Sequence, residues 1–148
     1  MGLPWFKKRV DHGIPAEGRL KILVLSASLE DRFFLERLGK QHDWELWSTG
    51  SPGEGFMWAS QRHFEVILCD RNQPGYPWRE VMERLVACSP RSCILLVSPM
   101  RGDYLWQDVL RKGGYDIMLR PLCEKAVLHS IDSAVRFISS AAGGMSQR

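Results

Sequence analysis

This sequence has no long apolar run, and that absence argues against a membrane-spanning protein. Its apolar stretches are the length of single strands, whereas a spanning helix needs roughly 20 consecutive apolar residues. The first residues, MGLPWFKKRVDHG, also lack the apolar core of a secretory signal. We therefore expect a cytoplasmic protein.

An excess of charge of one sign is also missing. The net charge is +3, and positive residues lie among acids except in Lys7-Lys8-Arg9. A nucleic-acid-binding protein normally shows a basic stripe or a reading motif, so we expect no nucleic-acid partner. With 148 residues, of which 45% are hydrophobic and 25% charged, the chain has the composition of one ordinary globular domain.

Cysteine pairs of the CxxC type do not occur, which disfavours a zinc site or a disulfide framework. The cysteines lie mostly within apolar runs, as expected of buried thiols: Cys69, Cys88, Cys93 and Cys123. The histidines are far apart along the predicted elements, so no zinc cluster is expected. The glycines near Ser51 lack the GxGxxG spacing and the Lys-Ser/Thr ending of phosphate-binding loops.

Apolar runs without alternation predict strands that are covered on both faces, the pattern of a central parallel sheet. Such runs occur at 22–25, 66–69 and 94–97, and shorter runs at 44–47 and 117–119 fit strands at or near an edge. Each run is followed by a segment with helical features. The predicted helices are marked by an apolar stripe at 34–38, a capping box from Ser51 to Glu54, a segment from Trp78 to Ala87, a stripe at 105–110 that ends at Gly113-Gly114, and a stripe from about Cys123 to Ile138.

This alternation predicts an α/β fold, a doubly wound sheet of about five parallel strands with helices on both faces. Residues 1–19 and 139–148 lack the periodicity. We therefore expect a flexible N-terminal segment, one domain over 20–138 and a flexible C-terminal tail.

An acid, a hydroxyl and a cation stand at the ends of the predicted strands. Asp70 directly follows the run 66–69, Ser98 follows the fourth strand, and Arg120 follows the fifth. In an open parallel sheet, ligands and chemistry gather beyond the carboxyl ends of the strands. These side chains are therefore expected to share one crevice.

The arrangement resembles the receiver domain of two-component response regulators over nearly the whole chain, from Leu20 to Ile138. The residues that carry the likeness are Asp70, Gln73-Pro74-Gly75, Ser98, Gly113-Gly114-Tyr115-Asp116 and Arg120-Pro121. The resemblance implies a flavodoxin-like fold with strand order 2-1-3-4-5. It also implies that Asp70 is the phospho-acceptor and that Ser98 and Arg120 contact the phosphoryl group.

One departure from the family's pattern concerns metal binding. Receivers carry an acidic pair at the end of the first strand that helps to hold Mg²⁺, and this chain has Ser26 and Ala27 there. Asp70 and the carbonyl of Asn72 remain as weak candidates, so we expect Mg²⁺ to bind weakly if at all, and no other cofactor. Glu30 and Asp31 fall in the first helix and are expected to point elsewhere.

A second departure is Arg120, which stands where the family has a lysine. Its planar guanidinium suits bidentate pairing, and a pair with Asp70 would supply the neutralising charge that a metal otherwise gives. The residues therefore favour an atypical receiver without enzymatic activity, which acts through contacts with a protein such as a histidine kinase or a downstream signalling protein. Its Mg²⁺-dependent phosphorylation would be impaired.

Three alternatives stay open. In the first, Asp70 is a working phospho-acceptor. In the second, the chain is a flavodoxin-like enzyme that binds a nucleotide or a flavin. In the third, the segment from Trp5 to Arg9 binds a lipid surface or nucleic acid.

The resemblance also indicates an interaction face on the fourth helix, the fifth strand and the fifth helix, where receivers usually form output and dimer contacts. Tyr104, Trp106 and Leu128 are the candidates, because not every apolar residue of these helices can face the sheet. Aromatic residues are enriched in binding hot spots. The resemblance includes a homodimer through this face among the expected contacts, and the alternative for Trp106 is packing in the core.

Overall fold

The computed structural model describes residues 18–146, with side chains described up to residue 141. The predicted N-terminal segment 1–19, including Trp5 to Arg9, lies outside the described residues except for its last two. No helix in the described part of the chain is long and apolar enough to cross a membrane.

Five strands alternate with five helices along the described residues. The strands are β1 Lys21–Leu25, β2 Glu45–Thr49, β3 Val66–Asp70, β4 Cys93–Ser98 and β5 Asp116–Leu119. The helices are α1 Leu29–His42, α2 Pro52–Gln61, α3 Trp78–Cys88, α4 Asp103–Arg111 and α5 Glu124–Ser146. All neighbouring strands pair in parallel in the order β2-β1-β3-β4-β5, which confirms the predicted fold class.

The sheet separates two apolar layers, because successive residues of each strand point to opposite faces. On one face, α1 and α5 cover Ile22, Val24, Leu68 and their neighbours. On the other face, α2, α3 and α4 cover the alternate strand residues. The runs in β3 and β4 are buried at every position, as expected of central strands covered on both sides.

Serine side chains begin the first two helices. The hydroxyl of Ser28 accepts a hydrogen bond from the Asp31 N–H at 3.1 Å, and that of Ser51 accepts one from the Glu54 N–H at 3.2 Å. The predicted capping box at Ser51 is only half formed, because the Glu54 carboxylate accepts a hydrogen bond from the Thr49 hydroxyl at 2.6 Å instead of reaching back to the Ser51 N–H.

Two helices differ from the expected pattern. In α4 only Val109 is fully buried, and Trp106 and Leu110 are 39% and 41% exposed, so the predicted stripe at 105–110 is wider than the face that packs on the sheet. The last helix continues to Ser146, beyond the predicted end of its apolar stripe at Ile138. Residues 139–142 are serine and alanine, and alanine favours a helix, which is consistent with the extension past Ile138.

Candidate functional site

Asp70 is the last residue of β3 and lies at the carboxyl edge of the sheet, buried to 3% exposure. Each of its carboxylate oxygens has a partner. Oδ2 accepts a hydrogen bond from the Ser26 hydroxyl at 3.2 Å and pairs with Nη2 of Arg120 at 2.9 Å. Oδ1 accepts a hydrogen bond from the backbone N–H of Asn72 at 2.9 Å. The carboxylate is therefore held from three directions.

Arg120 joins two carboxylates with two different nitrogens. Its Nη2 contacts Asp70, and its Nε donates a hydrogen bond to Oδ2 of Asp31 at 2.7 Å. Burial acts to lower the pKa of Arg120, but the hydrogen bonds and negative charges of Asp31 and Asp70 outweigh it and raise the pKa above its ordinary value. The two carboxylates therefore stabilise the charged form of the guanidinium.

Asp31 belongs to the site, contrary to the expectation from the sequence. We expected Glu30 and Asp31 to point away from the strand ends; Glu30 is exposed, whereas Asp31 is buried and bonded to Arg120. The reason is helical spacing, since Asp31 lies four and seven residues before the buried Leu35 and Leu38 and so shares their face toward the sheet. That spacing is the signal that could have identified it.

Ser98 lies at the end of β4 and is fully buried, as expected of a strand end in this sheet. Its hydroxyl donates a hydrogen bond to the Met100 carbonyl at 2.8 Å and accepts one from the Met100 N–H at 3.2 Å. Within the described residues, Ser98 makes no side-chain hydrogen bond to Asp70 or Arg120. The fold thus brings Asp70 and Arg120 together, while the Ser98 hydroxyl is engaged in its own turn.

Gln73 hydrogen-bonds the loop after β3 to the ends of β1 and β3. Its amide nitrogen donates hydrogen bonds to the backbone carbonyls of Leu25 and Asp70, each at 3.0 Å. Gly75 has φ of 79°, a left-handed conformation that favours glycine. The loop and the start of α3 line an open cleft of about 490 Å³.

The donor set does not fit the Mg²⁺ ion that the family resemblance implies. Mg²⁺ requires several oxygen ligands at roughly 2.0–2.1 Å in near-octahedral geometry. The oxygens of Asp70 are directed at Arg120, Ser26 and the Asn72 N–H. Among residues 18–146, no group of three or more His, Cys, Asp or Glu side chains is arranged to hold a metal ion.

The predicted interaction residues differ in exposure. Tyr104 is 87% exposed and Trp106 is 39% exposed, both on α4, while Leu128 on α5 is half-buried. The alternative that Trp106 packs in the core is therefore wrong. Met100 and Leu119, at the neighbouring ends of β4 and β5, are also largely exposed, so this end of the fold carries apolar surface.

Comparison with known proteins identifies the fold. No protein-family model matches the chain. Over 118 residues it is 20% identical to the chemotaxis protein CheY of Listeria monocytogenes, an alignment that covers 79% of this chain and 99% of that protein.

Solved structures of receiver proteins superpose closely on this chain. The chemotaxis protein CheY4 of Vibrio cholerae matches with a TM-score of 0.74 at 17% identity, covering 78% of this chain and 98% of that one. A CheY-like response regulator receiver domain protein from Methanospirillum hungatei matches with a TM-score of 0.77 at 15% identity, covering 83% and 98%. The chain has the fold of these receiver domains, which confirms the resemblance predicted from the sequence.

Proposed function

We infer that this chain is an atypical receiver domain in phosphorelay signal transduction, which acts through contacts with other proteins and in which Mg²⁺-dependent phosphorylation of Asp70 is impaired. The observation that carries the proposal is the ion pair between Arg120 and Asp70, with 2.9 Å between Nη2 and Oδ2.

This ion pair bears directly on nucleophilic attack. To form an acyl phosphate, a carboxylate oxygen must present a free lone pair to the phosphorus atom. Oδ2 of Asp70 accepts hydrogen bonds from Arg120 and Ser26, and Oδ1 accepts one from the Asn72 N–H. Both contacts to Oδ2 must break before that oxygen is free to attack, so only Oδ1, which accepts a single hydrogen bond, keeps a lone pair for the phosphorus atom.

Protein contacts are the other half of the proposal. The candidate residues for these contacts are Tyr104 and Trp106, whose aromatic side chains are exposed on α4, and Leu128, which is half-buried on α5. Exposed aromatics are typical anchors of protein interfaces. By its resemblance to receivers, we expect the partner to be a histidine kinase or a downstream signalling protein, or a second copy of the chain bound through the same face.

The test is the intact mass of the protein after incubation with a small phosphodonor and Mg²⁺. We expect no added phosphoryl mass on the native chain, and none on the Asp70→Asn variant. A matched gain-of-function control carries Ser26→Asp, Ala27→Asp and Arg120→Lys, which introduces the acidic pair and the lysine that receivers have at these positions. That variant is expected to gain phosphoryl mass.

The opposite result would support the alternative function. If the native chain gains phosphoryl mass and the Asp70→Asn variant does not, Asp70 is a working phospho-acceptor and phosphorylation is not impaired. If the triple variant also gains no mass, further residues are needed for the chemistry. Arg120 and the missing acidic pair would then not explain the impaired phosphorylation.

A further inference from the structure

We propose that the guanidinium of Arg120 occupies the space between the carboxylates of Asp31 and Asp70 and so prevents divalent metal ions from binding there. We also propose that Asp31 positions this guanidinium. This proposal concerns metal exclusion and holds whether or not Asp70 accepts a phosphoryl group.

The geometry shows one cation shared between two carboxylates. Nε of Arg120 lies 2.7 Å from Oδ2 of Asp31, and Nη2 lies 2.9 Å from Oδ2 of Asp70. Both distances are typical of charge-assisted hydrogen bonds. The two acids come from α1 and β3, and the arginine follows β5, so the guanidinium lies where three separate elements meet.

Because the three side chains are largely buried, the guanidinium and a divalent metal ion cannot bind the same carboxylates together. The side chains of Asp70, Asp31 and Arg120 are 4%, 13% and 20% exposed, so water screens them poorly. A divalent ion at the same carboxylate oxygens would lie next to the fixed positive charge of Arg120, and repulsion between like charges is strong where the dielectric constant is low. The metal can enter only if the guanidinium leaves.

Asp31 determines where the guanidinium lies. Arginine has a long side chain with considerable rotamer freedom, and the Ser26 hydroxyl contributes a hydrogen bond to Asp70 but no charge that would hold Arg120. The Asp31 carboxylate is fixed on α1, whose first turn is capped by Ser28. Through its bond to Nε, this carboxylate orients the guanidinium so that Nη2 meets Asp70.

The first test measures Mn²⁺ binding by electron paramagnetic resonance, with Mg²⁺ as competitor. The native chain is expected to show no saturable site. The Arg120→Gln variant leaves Asp31 and Asp70 without their cation, and we expect it to bind one Mn²⁺ at least about tenfold more tightly than the native chain. The double variant Arg120→Gln, Asp31→Asn should lose that site.

Arg101→Gln is the matched control, because Arg101 also pairs with an acid, Asp116, but on an exposed surface. It should bind Mn²⁺ no better than the native chain. Saturable binding to the native chain that Asp70→Asn abolishes would overturn the proposal. So would an Arg120→Gln variant that is folded by circular dichroism and gains no site.

A second measurement tests the positioning role and does not need the Arg120 variants to fold. In NMR spectra of arginine side chains, the Nε–H of Arg120 should be protected from solvent exchange in the native chain. Exchange should become fast in Asp31→Asn and slow again in Asp31→Glu. Equal protection in the native chain and in Asp31→Asn would show that Asp31 does not position Arg120.

Discussion

The carboxyl edge of the sheet has two parts that are held in different ways. Where β1, β3 and β5 end, Asp70 binds Ser26 and Arg120, and Arg120 also binds Asp31, across long separations in the sequence. Where β4 ends, the hydroxyl of Ser98 binds the backbone only two residues further along. We call the first part the charged bridge and the second the serine turn.

The difference shows how each part depends on the rest of the fold. The charged bridge exists only when α1, β3 and the segment after β5 are all in place, so it reports the integrity of the whole domain. The serine turn needs only its own few residues, and it leads into α4 with its exposed aromatic side chains. Changes in the first part should therefore affect global stability, and changes in the second should remain local.

The largest expected effect comes from breaking the charged bridge. Arg120→Ala leaves two buried carboxylates without their cation, so we expect the free energy of unfolding to fall by about 3 kcal/mol. In the control Arg101→Ala, an exposed ion pair with Asp116 is lost, and the expected decrease is about 0–1 kcal/mol. Urea unfolding measures both. Equal decreases would remove the distinction between the charged bridge and an ordinary surface pair.

A smaller effect is expected in the serine turn. Ser98→Ala removes hydrogen bonds to the N–H and the carbonyl of Met100, and we expect a loss of about 1 kcal/mol in the free energy of unfolding. Ser60→Ala is the control, since its hydroxyl bonds the Met57 carbonyl on the exposed surface of α2. A loss at Ser98 as large as that at Arg120 would contradict a purely local role.

The smallest effect concerns the reactivity of the Cys69 thiol, which reports local opening of the structure next to Asp70. Burial and the adjacent Asp70 charge raise the pKa of Cys69 to about 12, so its thiol is neutral at pH 8. We expect Cys69 to resist a thiol reagent while the exposed Cys123 reacts quickly. Labelling of Cys69 should become faster in Arg120→Ala and stay slow in Ser98→Ala, as followed by peptide mass spectrometry.

The raised pKa of the Cys69 thiol also determines the direction in which stability changes with pH. Because the pKa of the Cys69 thiol is raised on folding from 9.0 to about 12, its contribution to stability is complete below about pH 9. It is lost as the pH rises toward 12, since only the unfolded chain can then ionise the thiol. Rapid labelling of Cys69 in the native chain at pH 8 would show that the thiol is not buried, and the predicted pH dependence of stability would then be wrong.

The strands followed from the sequence because buried parallel strands leave a direct pattern, unbroken apolar runs such as 66–69 and 94–97. Their order in the sheet came from the resemblance to receiver domains and not from these runs. The position of Asp70 followed from the same runs. Asp31 could not be found in this way, because a charged residue in a helix is ordinarily assigned to the solvent side. Its partner, Arg120, lies 89 residues further along the chain, and only the assembled sheet brings the two together.

The hydroxyl of Ser98 illustrates a different difficulty. The sequence places this residue correctly at a strand end, but a serine hydroxyl rotates freely and binds whichever acceptor is nearest. In this fold the nearest groups belong to the backbone of Met100. The apolar run that predicts the strand does not indicate which group the hydroxyl of its last residue binds.

Asp31 and Arg120 lie 89 positions apart in the sequence, and this distance also bears on the order of folding. A contact between distant parts of a chain closes a large loop, and the entropy cost of closing that loop slows the formation of the contact. Because β5 joins the sheet only by pairing with β4, the bridge to α1 closes when the last strand has docked. An interaction that forms after the transition state slows unfolding and leaves the folding rate nearly unchanged. The charged bridge would then slow unfolding and lengthen the lifetime of the folded domain.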